Sequence, residues 1–268
     1  MKCGDRMNEI LWDFKEDADR KSKIYEFYHL NSEHTVRTQC YNAPKMDYSI
    51  KEEPIQEERM IIDCVPYLEE IPDDGYTLKQ AMMHRRTSWD FECEPLSDEQ
   101  LKKFCAYSFG INDREENLKT YPSGGRLYPI EIYLIPTKKM VGKNKIFARD
   151  ICLRYNVHTR NLEKQSDGDI NQVDTLISAT DIGGFSFEQA QFLVCLVGNP
   201  SLMKKKYHSL TYRLMQDECG HIGQNIMLSA AMCQLNVVPL GGFFEERIKQ
   251  MLEIKTNNRS VLYVLAVG

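Results

Sequence analysis

KYHSLTYRLMQDECGHIGQNIMLSAAMCQLNVVPLGGF, residues Lys206 to Phe243, holds the most regular apolar period in the chain. Met215, Cys219, Ile222, Ile226, Ala230 and Cys233 recur at intervals of three or four, which predicts a long helix starting near Tyr212. Gly220 and Gly223 lie inside it, and each glycine costs about 1 kcal/mol against alanine in a helix interior. The pair predicts close approach by another backbone or a flat ligand. Asp217, His221, Gln224 and Asn225 form only a narrow polar stripe, so the helix is expected to be buried nearly all round. Beyond it, Val237 to Leu240 reads as a short apolar strand and Gly241–Gly242 as a turn that contacts a ligand. The rest of the chain is organised around this core helix and glycine turn.

A chain of 268 residues can hold one large domain with an appendage. No apolar run approaches the ~20 residues of a membrane helix, and MKCGDRMNEILWDF lacks a signal-peptide core, so the cytoplasm is the expected compartment and no membrane partner is expected. The nine cysteines include no CxxC pair. Cys105, Cys195 and Cys233 fall inside apolar patterns, where a thiol acts as a small hydrophobe, which suits a reducing compartment. Cys219 and His221 stand two apart, a spacing that points side chains away from one another on a helix, so no metal site is expected. The net charge of −5 disfavours nucleic acid as a partner. Residues 51–75 hold nine acids and two bases, a balance of −7, which leaves +2 on the remainder and favours an anionic cofactor there.

Taken in order, residues 16–30 predict a helix with Ile24, Phe27 and Tyr28 on one side. The acidic stretch with Pro54, Pro66 and Pro72 follows as an arm. The texture changes near Tyr76, which divides the chain into an N-terminal extension, 1–75, and a main domain, 76–268. Thr77 caps a helix over Leu78–Arg86, and Ser97 with Gln100 makes a capping box for Leu101–Phe109. Strands are expected at Ile130–Ile135, Cys152–Val157, Phe192–Val197, Val237–Leu240 and Val261–Val267, the third continuously apolar and therefore central. Further helices are expected at Gln172–Ala179 and Glu245–Leu252. Interleaved strands and helices predict an α+β sheet covered by helices.

Known chemical fingerprints are mostly missing. No GxGxxG follows a strand, and GxxxxGK[ST], GxSxG and HExxH do not occur. Three pieces remain. His84-Arg-Arg-Thr-Ser88 offers guanidinium and hydroxyl groups at a helix end, a chemistry suited to phosphate. Pro122-Ser-Gly-Gly125 is a tight loop before a strand, where glycines admit a flat ligand to the backbone. Pro239-Leu-Gly-Gly242 repeats that character after the core helix.

In this order, RRTS, PSGGRLYPIEIYLI, KY, YR, GHIGQN and PLGGF resemble the nitroreductase-fold flavoproteins, and more closely the SagB-type, McbC-like azoline dehydrogenases that install thiazole and oxazole rings in ribosomally made peptides. The likeness runs from about Tyr76 onward, with YHLNS at Tyr28–Ser32 a looser match. It implies a nitroreductase-like fold with a mostly antiparallel sheet, and a homodimer with FMN at the subunit interface. Arg85, Arg86 and Thr87 would hold the phosphate and ribityl end, while Trp89 stands where many nitroreductases carry a basic residue. Pro122, Ser123 and Gly124 of one chain, with Pro239, Leu240, Gly241 and Gly242 of the other, would flank the isoalloxazine ring. Gln224 of the GHIGQN block joins the cofactor-binding set. Lys206 and Tyr207 match the family's catalytic pair, and the like charges of Lys204 and Lys205 beside a partly desolvated Lys206 would lower its pKa.

The implied reaction is FMN-dependent oxidation of a thiazoline or oxazoline in a precursor peptide, with cyclodehydratase subunits as possible partners. Two other readings stay open: a general NAD(P)H-dependent nitroreductase, and a catalytically silent scaffold subunit of a heterocycle synthetase.

Overall fold

A computed structural model of the chain describes residues 59–177, 186–255 and 258–268. The helix expected over 16–30 and the YHLNS stretch lie outside them. At the centre runs β7 (Phe192–Gly198), FLVCLVG, buried at every position. Its Phe192, Val194 and Leu196 enter one core and Leu193, Cys195 and Val197 the other. A strand covered on both faces needs no polar alternation, which is why it reads as a continuous apolar run.

β4 (Ile130–Pro136) and β9 (Ser260–Val267) pair antiparallel on either side of β7. The full sheet has seven strands in the order β1 (Ile61–Cys64), β6 (Asn161–Asp167), β5 (Ile151–Tyr155), β4, β7, β9 and β8 (Val237–Leu240), and every neighbouring pair is antiparallel. A separate ribbon joins β2 (Ile111–Asp113) to β3 (Leu118–Lys119). The predicted α+β class and antiparallel sheet are thus present. β1 lies within the stretch read as the extension, and it forms one edge of the sheet through β6.

One face of the sheet carries α2 (Asp98–Phe109) and α4 (Thr211–Met232), which contribute Phe104, Phe109, Ile222 and Ile226 to a shared core. The other carries α5 (Glu245–Met251), with Ile248 and Leu252 against β7 and β9. α1 (Leu78–His84) packs on α4. Thr77 and Ser97 cap their helices through reciprocal bonds with Gln80 and Gln100, satisfying backbone donors that would otherwise be orphaned. Among the described residues no helix is long and apolar enough to cross a membrane.

Three expectations need correction. The core helix is not buried all round: Tyr212, Gln216, Asp217, Gly220, His221 and Gln224 form an exposed stripe, because the sheet and α2 cover only its inner side. Gly223 is approached closely, by the Tyr263 ring at 2.6 Å from where a Cβ would stand, but Gly220 faces open space. The helix expected over 172–179 is a single 3₁₀ turn, Val173–Leu176, after which Ile177 is extended and bridges Phe243.

Candidate active site

The loop from Tyr121 to Pro129 is held in an unusual conformation. Gly125 (φ 65°), Arg126 (φ 59°) and Tyr128 (φ 47°) all occupy the left-handed region, which costs a side-chain-bearing residue about 1 kcal/mol or more. Local contacts impose it. Tyr128 donates its N–H to Ser123 Oγ at 2.9 Å, Arg126 donates its N–H to the Ser123 carbonyl, and the buried Tyr121 and Tyr128 rings meet edge to face at 5.7 Å. Arg126 pairs with Glu116 at 2.9 Å. Pro122 and Gly125 are exposed, while Ser123 and Gly124 are half-buried.

Lys206 and Tyr207 end a one-turn helix, α3 (Lys204–Tyr207), that His208 terminates with φ 46°. Both are half-buried, whereas Lys204 and Lys205 are exposed. The Lys206 ammonium lies 5.4 Å from the Tyr207 ring centroid. Both reach the glycine loop. A Cβ built on Gly125 would stand 2.6 Å from Lys206 Nζ and 2.8 Å from Tyr207 Oη, and one on Gly124 would meet Met203 Cε at 2.9 Å and Tyr207 Cε2 at 3.7 Å. Two sequence-predicted pieces, PSGG and KY, are therefore in contact.

The third and fourth pieces also meet. Arg85 caps α1 by donating its N–H to Ala81 O at 2.9 Å, and Arg86 turns its guanidinium back onto the carbonyls of Met83 and Arg85, each at 2.8 Å. Thr87 then lies parallel to Val237 at the start of β8, with Ser88 N–H donating to Val237 O. β8 ends in half-buried Pro239, opposite buried Leu265 across the ladder, and buried Leu240, and exposed Gly241 and Gly242 follow. No atom lies within 4 Å of where a Cβ on Gly241 would stand, so that turn faces open space. Trp89 is 40% exposed, its ring 5.9 Å from that of Phe187.

Sheet register places the two glycine turns. Ile130 is opposite Gly198 and Gly198 opposite Ser260, while β8 runs toward that same end with Leu240 opposite Val264. Both turns therefore project from one end of the sheet, their strands three places apart, about 14 Å at the usual strand spacing. Gln224 is exposed on α4, and its neighbour Asn225 donates to Thr120 O at 3.0 Å beside the loop.

Glu218 is a residue that the sequence reading passed over. It is 1% exposed, and neither carboxyl oxygen closes a hydrogen bond, although the Ser123 hydroxyl and the Ile130 N–H face it. Burial pushes its pKa up to about 8 against the smaller opposing effect of those two donors. The signal was available: Glu218 falls in the apolar register of Met215, Cys219 and Ile222. Nearby Lys119 is buried too, and desolvation lowers its pKa to about 8. Among the described residues no cluster of three His, Cys, Asp or Glu side chains has metal-binding geometry.

The model of the nitroreductase family matches residues 82–268. A Methanocaldococcus jannaschii protein assigned as a nitroreductase is 26% identical over 187 residues, which cover 69% of this chain and 89% of that protein. In three dimensions the chain is similar to a Ralstonia eutropha protein assigned as a nitroreductase, with a TM-score of 0.61 at 17% identity, covering 80% of this chain and 94% of the other. It is also similar to a chain of the E. coli microcin synthetase McbBCD complex, solved with truncated pro-MccB17 bound, with a TM-score of 0.62 at 16% identity, covering 98% and 96%. At such identities the structural likeness is one of fold.

Proposed function

The chain belongs to the nitroreductase family, and from that premise we propose that it is an FMN-dependent oxidoreductase that converts peptide thiazolines or oxazolines to thiazoles or oxazoles. The observation that carries this reading is the seating of Lys206 and Tyr207 against Gly124 and Gly125. A simple flavin-mediated reduction does not require such a pair, whereas removal of an activated Cα proton requires a base.

The residues present fit FMN. Arg85, Arg86 and Thr87 supply cationic and hydroxyl groups for a phosphate at the start of β8. Four strand residues further on, about 13 Å at the usual rise, the open turn at Gly241–Gly242 leaves space for a flat ring. Bound FMN would accept the hydride that leaves the azoline Cβ and return its electrons to oxygen. The chain's own residues supply the rest. The Pro122–Gly124 backbone would lie along one side of the ring, and Lys206 or Tyr207 would take the Cα proton, which the ring C=N and adjacent carbonyl make acidic.

The same reading makes the protein a homodimer. Exposed Leu78, Met82 and Met83 on α1, the first 66% accessible, adjoin the exposed stripe of α4, and a second copy would cover both. Pro239–Gly242 of one subunit would then complete the site of the other. Cyclodehydratase subunits are the proposed further partners, in keeping with the likeness to a chain of a synthetase complex.

The runner-up, a general NAD(P)H-dependent nitroreductase, is favoured by the assignment of the M. jannaschii relative. Mass spectrometry decides between them: with a heterocyclised peptide, oxygen and no nicotinamide, each ring should lose two hydrogen atoms. Strict dependence on NADPH, with no ring oxidation, would overturn the azoline reading. A purified protein that is colourless and takes up no FMN would leave the scaffold reading.

A further inference from the structure

We propose that Glu218 is a positioning residue that carries a proton in the folded protein at neutral pH and, through that O–H, holds Ser123 and the glycine loop in the conformation that receives Lys206 and Tyr207. The geometry begins with its place on α4. It points inward with Met215 and Ile222, is 1% exposed, and lies beneath the loop with Ser123 Oγ and the Ile130 N–H facing its carboxyl.

Near-complete burial disfavours the carboxylate, and the hydrogen-bonding groups around it can serve the neutral acid. Ser123 Oγ already accepts from the Tyr128 N–H at 2.9 Å. A protonated carboxyl offers one donor and one acceptor oxygen, and so can give its proton to Ser123 Oγ while its carbonyl oxygen takes the Ile130 N–H. A carboxylate only accepts. It would need a cation or donors that close on it, and the titratable groups around it, Tyr121 and Tyr128 from the loop and Cys219 from its own helix, include no cation, while neither tyrosine hydroxyl closes a hydrogen bond to the carboxyl. Two basic side chains of this region are committed elsewhere, Lys119 to Asn117 at 2.7 Å and Arg126 to Glu116. An ionised Glu218 would therefore be a buried charge under a loop that already stores strain at Arg126 and Tyr128.

Protonation itself does not depend on the flavin reading; the effect on FMN affinity rests on the assignment of Pro122–Gly124 to the flavin. Infrared titration of wild type against Glu218→Gln tests the first. A neutral-acid carbonyl band at pH 7, lost above about pH 8 and missing in Glu218→Gln, is expected. Absence of that band from the wild type at pH 7 would overturn the proposal. Hydrogen exchange over residues 121–129 tests the coupling: at pH 9 the wild type should exchange several-fold faster than Glu218→Gln, and at pH 7 the two should match. Equal exchange at both pH values would also overturn it. FMN titration is the third arm. If only the protonated form keeps the loop competent, affinity should fall about tenfold from pH 7 to pH 9 in the wild type and stay level in Glu218→Gln. A neutral acid and a coupled loop with level FMN affinity in both proteins would retain the positioning role and remove the loop from the flavin site.

Discussion

Gly125 and Lys206, far apart in sequence, are so close in space that a Cβ on the glycine would stand 2.6 Å from the lysine ammonium nitrogen. The lysine thus occupies room that only glycine leaves. Because Gly125 also has φ 65°, alanine there meets two objections, a left-handed backbone and a collision. Gly125→Ala should keep the fold, displace Lys206 and Tyr207, and reduce ring oxidation at least tenfold, with the backbone penalty of about 1 kcal/mol visible as a small loss in thermal stability. Circular dichroism melts beside turnover would check it; unchanged turnover would detach the lysine from the chemistry.

The lysine run provides an internal control. Lys206→Ala and Tyr207→Phe should each retain flavin and fold yet lose about two orders of magnitude or more in turnover, the usual cost of removing a general base. Lys204→Ala and Lys205→Ala, on exposed side chains, should do much less. Flavin content measured alongside ring oxidation in all four separates a catalytic pair from a solvated face, which would give mild, equal effects.

At the other end of the site, Arg85→Ala should weaken FMN binding by about 1.5–3 kcal/mol, the range for a hydrogen bond to a charged group. Fluorescence titration of the apoprotein would measure this directly. The effect should shrink for riboflavin, which lacks the phosphate; an equal loss for both ligands would place Arg85 away from the phosphate.

Glu218 also fixes a pH dependence of stability. Burial raises its pKa from an ordinary 4.5 to about 8. Between those values the folded chain keeps the proton and the unfolded chain has released it, so stability falls as pH rises, by up to about 1.4 kcal/mol per pH unit, and levels off above pH 8. The Tm advantage of Glu218→Gln over wild type should therefore widen from pH 5 to pH 8 and then stay constant. A gap independent of pH would contradict the raised value.

Much of the fold was legible because burial wrote itself into the pattern. Ile130–Ile135 is apolar and buried at all but Glu131, Phe192–Val197 is uniformly apolar, and both are strands within a residue of their expected bounds. β6, NLEKQSD, carried no such mark: Leu162 is its one buried apolar side chain, and its place between β1 and β5 is held by the backbone ladder. Gly220 and Gly223 look alike in sequence, yet only the second has a neighbour, since Tyr263 arrives from β9. In the site, the glycine loop and the Lys206–Tyr207 pair were each visible as residue types. Their contact was not, because it depends on how α3 follows β7. Glu218 was missed because a charged residue in a helix reads as surface unless its register is weighed.

The strand order has a consequence for biosynthesis. β8 bonds within the sheet only to β9, and β9 lies between β7 and β8 although it follows both in the chain. A nascent chain can therefore close β5, β4 and β7 early, but β8 has no partner strand until Ser260–Val267 has emerged from the ribosome. Thr87 docks on Val237 and the Pro239–Gly242 turn leaves from the same strand, so both halves of that end are assembled only after this final strand is inserted. The Pro239–Gly242 turn is therefore fixed to the sheet only once β9 is in place.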